Sequence, residues 1–166
     1  IRHALDRGVT LLDTADMYGP FTNEQLIGRA IKGRRDDVFI ATKFGIVRDP
    51  ANPQLRAING RPDYVRSSCE GSLQRLGVER IDLWQLHRID PKTSQEEQFG
   101  VIADMQREGL IRHVGLSEVG VQEIEAARRH FPVASVQNKY NLVSRESEDV
   151  LDYCERESMS FIPWSP

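Results

Sequence analysis

Six short apolar runs, each separated from the next by a segment with helical periodicity, limit what this chain can fold into more than any other sequence feature. The runs are rich in β-branched and aromatic residues and nearly continuous in hydrophobicity, which is typical of strands buried in a parallel sheet. They are Val9–Asp13, Val38–Lys43, Ile81–His87, His113–Ser117, Ala134–Gln137 and Phe161–Trp164. We therefore predict an α/β fold built from βα units.

Start and stop signals divide the intervening segments into helices. Pro62 suits the first position of a helix, and Gly77 suits a helix end. A Ser or Thr followed three residues later by Glu or Gln predicts a capping box at Thr22–Gln25 and at Ser94–Glu97. The polar segment Ile46–Gly60 contains proline, so we predict a long loop there, of the kind that shapes specificity at a barrel mouth.

Two parallel-sheet architectures fit this alternation, a doubly wound open sheet and a (βα)8 TIM barrel. The open dinucleotide-binding sheet usually carries G-x-G-x-x-G after its first strand, and this sequence has no such motif. Polar residues close five of the predicted strands, and in a barrel those strand ends converge on the face where active sites are built. They are Asp13, Lys43, His87, Ser117 and Gln137. The sequence therefore favours the barrel.

The predicted barrel is incomplete. Six strands occupy 166 residues, so eight would take about 220, which is within the usual range for this fold. The chain opens in a predicted helix, Ile1–Arg7, with no strand before it, and it stops at Pro166, directly after the last strand. We expect residues 1–166 to form one domain with about six of the eight βα units, lacking the first strand and the last units.

Charge and cysteine content exclude several classes of protein. A formal net charge of −3 gives no general reason to bind nucleic acid or an anionic membrane surface. No apolar run approaches about 18 residues, so we expect no transmembrane helix. Cys69 and Cys154 are too few for a disulfide framework or a cysteine-rich metal site, and we expect a cytoplasmic protein without a metal.

Four side chains of different chemistry are predicted to meet at the barrel mouth. They are the carboxylate of Asp13, the phenol of Tyr18, the ammonium of Lys43 and the imidazole of His87. A nearby ammonium favours the phenolate and lowers the pKa of a phenol from its ordinary value of about 10. The phenol then becomes a usable general acid near neutral pH. This set suits protonation of an oxygen, such as a carbonyl oxygen that receives a hydride.

The whole chain resembles the aldo-keto reductase family. The segments that carry the resemblance follow one another in the family's order; they are Gly8–Gly19, Ala41–Gly45, Gly71–Gly77, Ile81–His87, Arg107–Arg112 and Gly115–Ser117. The resemblance implies a (βα)8 barrel that reduces aldehydes and ketones with a nicotinamide cofactor, usually NADPH, and without a metal. NADH stays open, because the resemblance places the residues that select NADPH beyond Pro166.

The resemblance also assigns roles to individual residues. Tyr18 would donate the proton, Lys43 paired with Asp13 would lower the pKa of Tyr18, and His87 would orient the carbonyl. The implied cofactor contacts are Ser117, Glu118, Gln137, Trp164 and Ser165, with Trp164 stacking on the nicotinamide ring. The implied substrate contacts are Met17, Phe44 and Arg88. The family commonly has Asn in place of Glu118, and an ionised Glu can accept hydrogen bonds but not donate them.

Two other functions remain open on the same fold. Lys43 could form a Schiff base in an aldolase, although such a lysine needs a lowered pKa and the neighbouring Asp13 opposes one. A non-catalytic subunit that binds a nicotinamide nucleotide could also keep both fold and site. Reduction of simple aldehydes with NADPH separates the reductase from the subunit.

Overall fold

The structure, a computed structural model, describes residues 1–49 and 52–166. Among these residues it has eight strands and six α-helices. The strands are β1 (Leu11–Asp13), β2 (Phe39–Phe44), β3 (Ile46–Asp49), β4 (Asn52–Ile58), β5 (Ile81–Leu86), β6 (Ile111–Ser117), β7 (Val133–Gln137) and β8 (Ser160–Phe161). The helices are α1 (Arg2–Asp6), α2 (Thr22–Ile31), α3 (Pro62–Leu76), α4 (Gln95–Arg107), α5 (Val121–Arg128) and α6 (Glu148–Arg156).

Six strands form one parallel sheet in the order β1-β2-β5-β6-β7-β8. Apart from the β3–β4 hairpin, each strand therefore lies beside the next one along the chain. A doubly wound sheet instead reverses its strand order at a switch point, and the described strands show no reversal. This winding confirms the prediction of a barrel architecture, which the described part of the chain does not close.

The alternation of strand side chains determines which residues reach the barrel interior. One face of the sheet packs against the helices through buried apolar side chains such as Ile40, Trp84 and Val136. The strand pairing places another set of residues together on the opposite, inner face. That set consists of Asp13, Lys43, Gln85, His87, Ser117 and Gln137. The inner face therefore collects polar groups at the carboxyl ends of the strands.

The helix boundaries follow most of the predicted signals. Pro62 begins α3, and Gly77 ends it with a left-handed backbone at φ +67°. Ser94 caps α4, since its hydroxyl oxygen accepts a hydrogen bond from the backbone N–H of Glu97. None of the helices in the described part of the chain combines the length and the apolar character needed to cross a membrane.

The capping box predicted at Thr22–Gln25 is wrong. Phe21, not Thr22, is the residue before the first turn of α2, and its backbone is left-handed at φ 66°. The Thr22 hydroxyl donates to the backbone oxygen of Gly19 over 2.8 Å. Thr22 therefore closes the preceding turn instead of capping the helix.

The prediction of a long loop over Ile46–Gly60 is also wrong. Strands β3 and β4 form an antiparallel hairpin there, with Ile46 opposite Ile58 and Val47 opposite Ala57. The backbone N–H of Asn59 donates to the oxygen of Gly45 over 2.9 Å and closes the base of the hairpin. The β-branched residues favour strands more than the overall polarity of the segment suggested. Positions 50 and 51 lie outside the described residues.

The last predicted strand, Phe161–Trp164, is shorter than expected. Regular pairing covers only β8, and Trp164 forms an isolated bridge with Lys139. Pro163 has no backbone N–H and interrupts the ladder, while the N–H of Trp164 donates to the oxygen of Asn138 over 3.1 Å. The bridge still keeps Trp164 beside the end of β7.

Helices α2 and α3 approach closely and enclose a buried ion pair. A Cβ atom on Gly28 of α2 would lie 2.6 Å from the backbone oxygen of Arg75 in α3. The Nε of Arg75 donates to one carboxylate oxygen of Glu24 over 2.6 Å, and the hydroxyl of Thr42 donates to the other over 2.6 Å. Glu24 is fully buried, so the Arg75 guanidinium balances its charge.

Replacement of Arg75 with Met is expected to lower the free energy of unfolding by about 3–5 kcal/mol, because it leaves a buried carboxylate without its cation. Urea denaturation of the complete protein measures this change. Arg61→Met is the matched control, since the Arg61 side chain is 69% exposed where it pairs with Asp63. A loss for Arg75→Met no larger than that of the control would contradict the assigned burial of Glu24.

Candidate active site

The four residues predicted to act together lie within reach of one another at the carboxyl ends of β1, β2 and β5. The Nζ of Lys43 donates to a carboxylate oxygen of Asp13 over 2.8 Å and to the backbone oxygen of Thr14 over 2.8 Å. That Nζ lies 5.5 Å from the centre of the Tyr18 ring. The rings of Tyr18 and His87 meet edge to face, with their centres 6.4 Å apart.

Asp13 is the centre of a hydrogen-bond network, of which the sequence predicted only the contact with Lys43. Besides Lys43, the side-chain amides of Gln85 and Gln137 donate to its carboxylate over 3.1 Å and 3.0 Å. Gln85 was missed as a functional residue, although it is a polar residue in an apolar strand. It precedes His87 by two residues, and strand alternation places both on one face.

The charges of this group do not act on Tyr18 as the sequence suggested. Burial raises the pKa of Tyr18, the charge of Asp13 raises it further, and Arg88 lowers it. Burial lowers the pKa of Lys43, while Asp13 opposes that shift. The expectation that Lys43 brings the pKa of Tyr18 below its ordinary value is wrong here, because burial disfavours the phenolate and the charge of Asp13 raises the pKa further.

His87 is an uncharged imidazole at neutral pH. Burial lowers its pKa to about 4, and the positive charges of Lys43 and Arg88 contribute to the shift. Its Nδ1 is buried and has no hydrogen-bond partner among the residues that the structure describes. A neutral ring has one N–H to donate, so His87 can donate a hydrogen bond without supplying a charge.

Ser117 and Gln137 end neighbouring strands beside the four residues above and are paired in register. The guanidinium of Arg88 donates to the hydroxyl oxygen of Ser117 over 3.3 Å and to the backbone oxygen of His87 over 2.5 Å. Ser117 therefore keeps its own O–H for an acceptor. One guanidinium nitrogen of Arg88 makes both hydrogen bonds, which hold the side chain at the barrel mouth.

Glu118 and Trp164 contact each other. One carboxylate oxygen of Glu118 accepts from the indole N–H of Trp164 over 2.6 Å and from the backbone N–H of Lys139 over 2.8 Å. Glu118 has a left-handed backbone at φ 55°, and 37% of the Trp164 surface is exposed. The backbone oxygen of Ser165 accepts from the side chain of Asn141. Glu118 therefore orients an exposed aromatic ring.

The predicted substrate contacts are placed differently from one another. Phe44 is fully buried on the helix-facing side of β2, with its ring stacked on Trp84 at 3.7 Å between centres. It follows Lys43 by one residue, so alternation turns it away from the inner face, and it cannot contact a substrate in this arrangement. Met17 is partly exposed in the turn before Tyr18.

Across residues 1–49 and 52–166, no cluster of His, Cys, Asp and Glu side chains could hold a metal ion.

Comparison with known proteins agrees with the family resemblance of the sequence. The family model described as the Aldo/keto reductase family matches residues 1–166. An uncharacterized oxidoreductase of Schizosaccharomyces pombe is 51% identical over 158 residues, which are 95% of this chain and 51% of that protein.

Two solved structures show the same architecture. Glycerol dehydrogenase from Gluconobacter oxydans has a TM-score of 0.91 and 32% identity over 96% of this chain and 50% of its own. An aldo-keto reductase from Klebsiella pneumoniae in complex with NADP and acetate has a TM-score of 0.80 and 30% identity over 98% of this chain and 55% of its own. The chain therefore spans about half the length of these relatives.

Proposed function

The chain belongs to the aldo/keto reductase family, and from this membership we propose that the complete protein reduces an aldehyde or ketone to an alcohol with NAD(P)H. The observation that carries the proposal is the Asp13–Lys43 ion pair beside Tyr18 and His87 at one barrel mouth. A phenol, a neutral imidazole and an ammonium fixed by a carboxylate suit the protonation of a carbonyl oxygen.

Tyr18 is the proposed proton donor. Its pKa is raised by burial, so the phenol keeps its proton at neutral pH and can deliver it as negative charge develops on the carbonyl oxygen. Lys43 and Asp13 act on that step through the charge of the ammonium. Their ion pair fixes the ammonium beside the Tyr18 ring, where it favours the phenolate that proton transfer leaves behind.

His87 is proposed to orient the substrate. Its uncharged ring can donate one hydrogen bond to the carbonyl oxygen without competing with Tyr18 as an acid, because its own pKa is about 4. The carbonyl would thereby be aimed at the phenol and polarised. Met17 and Arg88 are the proposed contacts for the remainder of the substrate.

The groups beside these residues fit a nicotinamide nucleotide. The exposed indole of Trp164 offers a flat surface for the ring, and Ser117 and Gln137 offer polar groups to its carboxamide. When bound, the cofactor supplies the hydride. We propose NADPH, since two similar solved structures of aldo-keto reductase from Klebsiella pneumoniae are complexes with NADP and with NADPH.

The geometry argues against the aldolase alternative. Only 2% of the Lys43 side chain is exposed, and its Nζ already donates to Asp13 and to Thr14. A carbonyl carbon could not reach this nitrogen without breaking the ion pair.

A panel of simple aldehydes and ketones with NADPH, and separately with NADH, tests the proposed function on the complete protein. Cofactor oxidation that depends on the carbonyl supports a reductase. Binding of NADPH without turnover of any carbonyl would instead identify a nucleotide-binding subunit. A borohydride-trapped adduct at Lys43 would identify an aldolase.

Replacement of Glu118 with Asn is expected to weaken NADPH binding by about 1 kcal/mol, one hydrogen bond's contribution. The shorter amide cannot hold the Trp164 indole as the carboxylate does, so the aromatic surface loses its fixed orientation. Quenching of protein fluorescence during a cofactor titration measures the affinity. Glu125→Asn, at an exposed position on α5, is the control. Equal affinities for the two variants would show that the Glu118–Trp164 contact does not serve the cofactor.

A further inference from the structure

Asp16 is a buried acid in the turn between Asp13 and Tyr18, and the proposed chemistry does not use it. It is 2% exposed. Its backbone N–H donates to the oxygen of Lys43 over 3.0 Å, and its backbone oxygen accepts from the N–H of Phe21 over 2.8 Å. Asp16 therefore connects the end of β2 to the start of α2.

Among the residues that the structure describes, no cation forms an ion pair with the Asp16 side chain. The ionisable groups that act on it are Glu24 on α2 and Arg75 and Tyr64 on α3, while β2 contributes the backbone oxygen of Lys43. The Arg75 guanidinium is already paired with Glu24. The Oδ1 of Asp16 is buried and accepts no hydrogen bond from any of the residues described.

This arrangement favours the neutral form of Asp16. With Asp16 protonated, the carboxylate of Glu24 and the guanidinium of Arg75 balance, whereas ionised Asp16 adds an uncompensated buried charge. Burial, followed by the charge of Glu24, raises the pKa of Asp16 to about 7, against the opposing effects of Arg75 and the backbone N–H of Met17.

The position of Tyr18 depends on the same turn. The backbone N–H of Tyr18 donates to the oxygen of Ala15 over 3.1 Å, and its own oxygen accepts from the N–H of Asn23 over 3.3 Å. The guanidinium of Arg75 lies 4.6 Å from the centre of the Phe21 ring and packs the end of the turn. A charge buried at Asp16 therefore acts on the segment that carries the phenol.

We propose that Asp16 is a positioning residue that acts as a neutral, protonated carboxyl group, provided that Tyr18 is the proton donor proposed above. In the neutral form it keeps the turn from Asp13 to Tyr18 packed on α2 and α3. Its ionisation displaces the turn and moves Tyr18 away from Lys43 and His87. Carbonyl reduction then declines as pH rises through neutrality.

The pH window of this decline separates Asp16 from His87 and Tyr18, and the Asp16→Asn variant separates it from Lys43. His87 titrates at about 4, and Tyr18 titrates above its ordinary value. For the complete wild-type protein, kcat is expected to fall by up to about 30-fold between about pH 6 and about pH 8.5. This is the factor by which the neutral fraction of an acid with a pKa near 7 falls over that range. Asp16→Asn, which cannot ionise, is expected to match the wild type at about pH 6 and to lose less than about twofold by about pH 8.5.

Thermal unfolding gives a readout that does not depend on activity. A raised pKa means that the folded state holds a proton that the unfolded state releases, so stability is lost as pH rises from about 4 to about 7. Asp16→Asn is expected to melt with the wild type at about pH 4 and several degrees above it at about pH 8.5, with most of the difference already present by about pH 7. Asp63→Asn, whose side chain is 71% exposed, is the control and should track the wild type at both pH values.

Infrared spectroscopy of the wild type tests the ionisation even if the variant fails to fold. The carbonyl stretch of a protonated carboxyl group is expected to disappear between about pH 6 and about pH 8.5. An active enzyme whose Asp16→Asn variant has the wild-type kcat profile would overturn the positioning role alone. A wild type that reduces no carbonyl at any pH would overturn the proposed function, and the role of Asp16 toward Tyr18 with it.

Discussion

Replacement of Tyr18 with Phe is expected to lower kcat for carbonyl reduction by roughly 10²–10⁴-fold, the usual contribution of a positioned general acid. Phe keeps the ring that packs against His87 at 6.4 Å between centres but has no proton to give. The side chain is partly exposed and no hydrogen bond of its hydroxyl supports the fold among the described residues, so folding and cofactor affinity should survive. Steady-state kinetics and a cofactor titration of the complete protein measure the two effects separately.

Tyr153→Phe is the matched control for this change. Its hydroxyl accepts a hydrogen bond from Arg128 on the outer, helical layer of the fold, so its loss should leave kcat near the wild-type value. Wild-type rates for Tyr18→Phe would remove Tyr18 as the proton donor.

Replacement of Lys43 with Met is expected to lower kcat by a similar factor of roughly 10²–10⁴, but for a different reason. The phenol stays in place, while Asp13 loses the cation 2.8 Å away that balances its charge. Because the charge of Asp13 already raises the pKa of Tyr18, loss of the balancing ammonium should raise that pKa further. A weaker acid donates its proton more slowly.

Ultraviolet difference titration against Tyr18→Phe follows the ionisation of Tyr18 directly and does not require turnover. It should show Tyr18 ionising at a higher pH in Lys43→Met than in the wild type. Lys92→Met, at an exposed position before α4, should alter neither kcat nor the titration. A lower pKa of Tyr18 in Lys43→Met would contradict the electrostatic role given to the ion pair.

The sequence predicted the barrel winding because local signals and tertiary structure agree there. Each apolar run became a strand, and the polar residues that close the runs face one another because strand ends converge in a parallel barrel. Gln85 escaped notice because its neighbours in β5 are apolar and it lies inside the strand. Phe44 does not reach the inner face although it follows Lys43 directly in sequence, because alternate residues face opposite sides of a sheet.

Other features depend on contacts that no local pattern contains. The hairpin over β3 and β4 lies in a segment whose composition is typical of a loop. The environment of Asp16 arises only when α2 and α3 bring Glu24 and Arg75 to the same turn. The shift in the pKa of Tyr18 likewise reflects burial, which is a property of the folded molecule.

Transfer of deuterium tests the central claim most directly. The complete protein would be incubated with an aldehyde and with NADPH that carries deuterium on the transferable position of its nicotinamide ring, and the alcohol would be analysed by mass spectrometry. The account predicts one deuterium on the carbinol carbon, formed at a rate that Tyr18→Phe lowers by roughly 10²–10⁴-fold. An alcohol without deuterium, or no alcohol from any aldehyde or ketone, would contradict it.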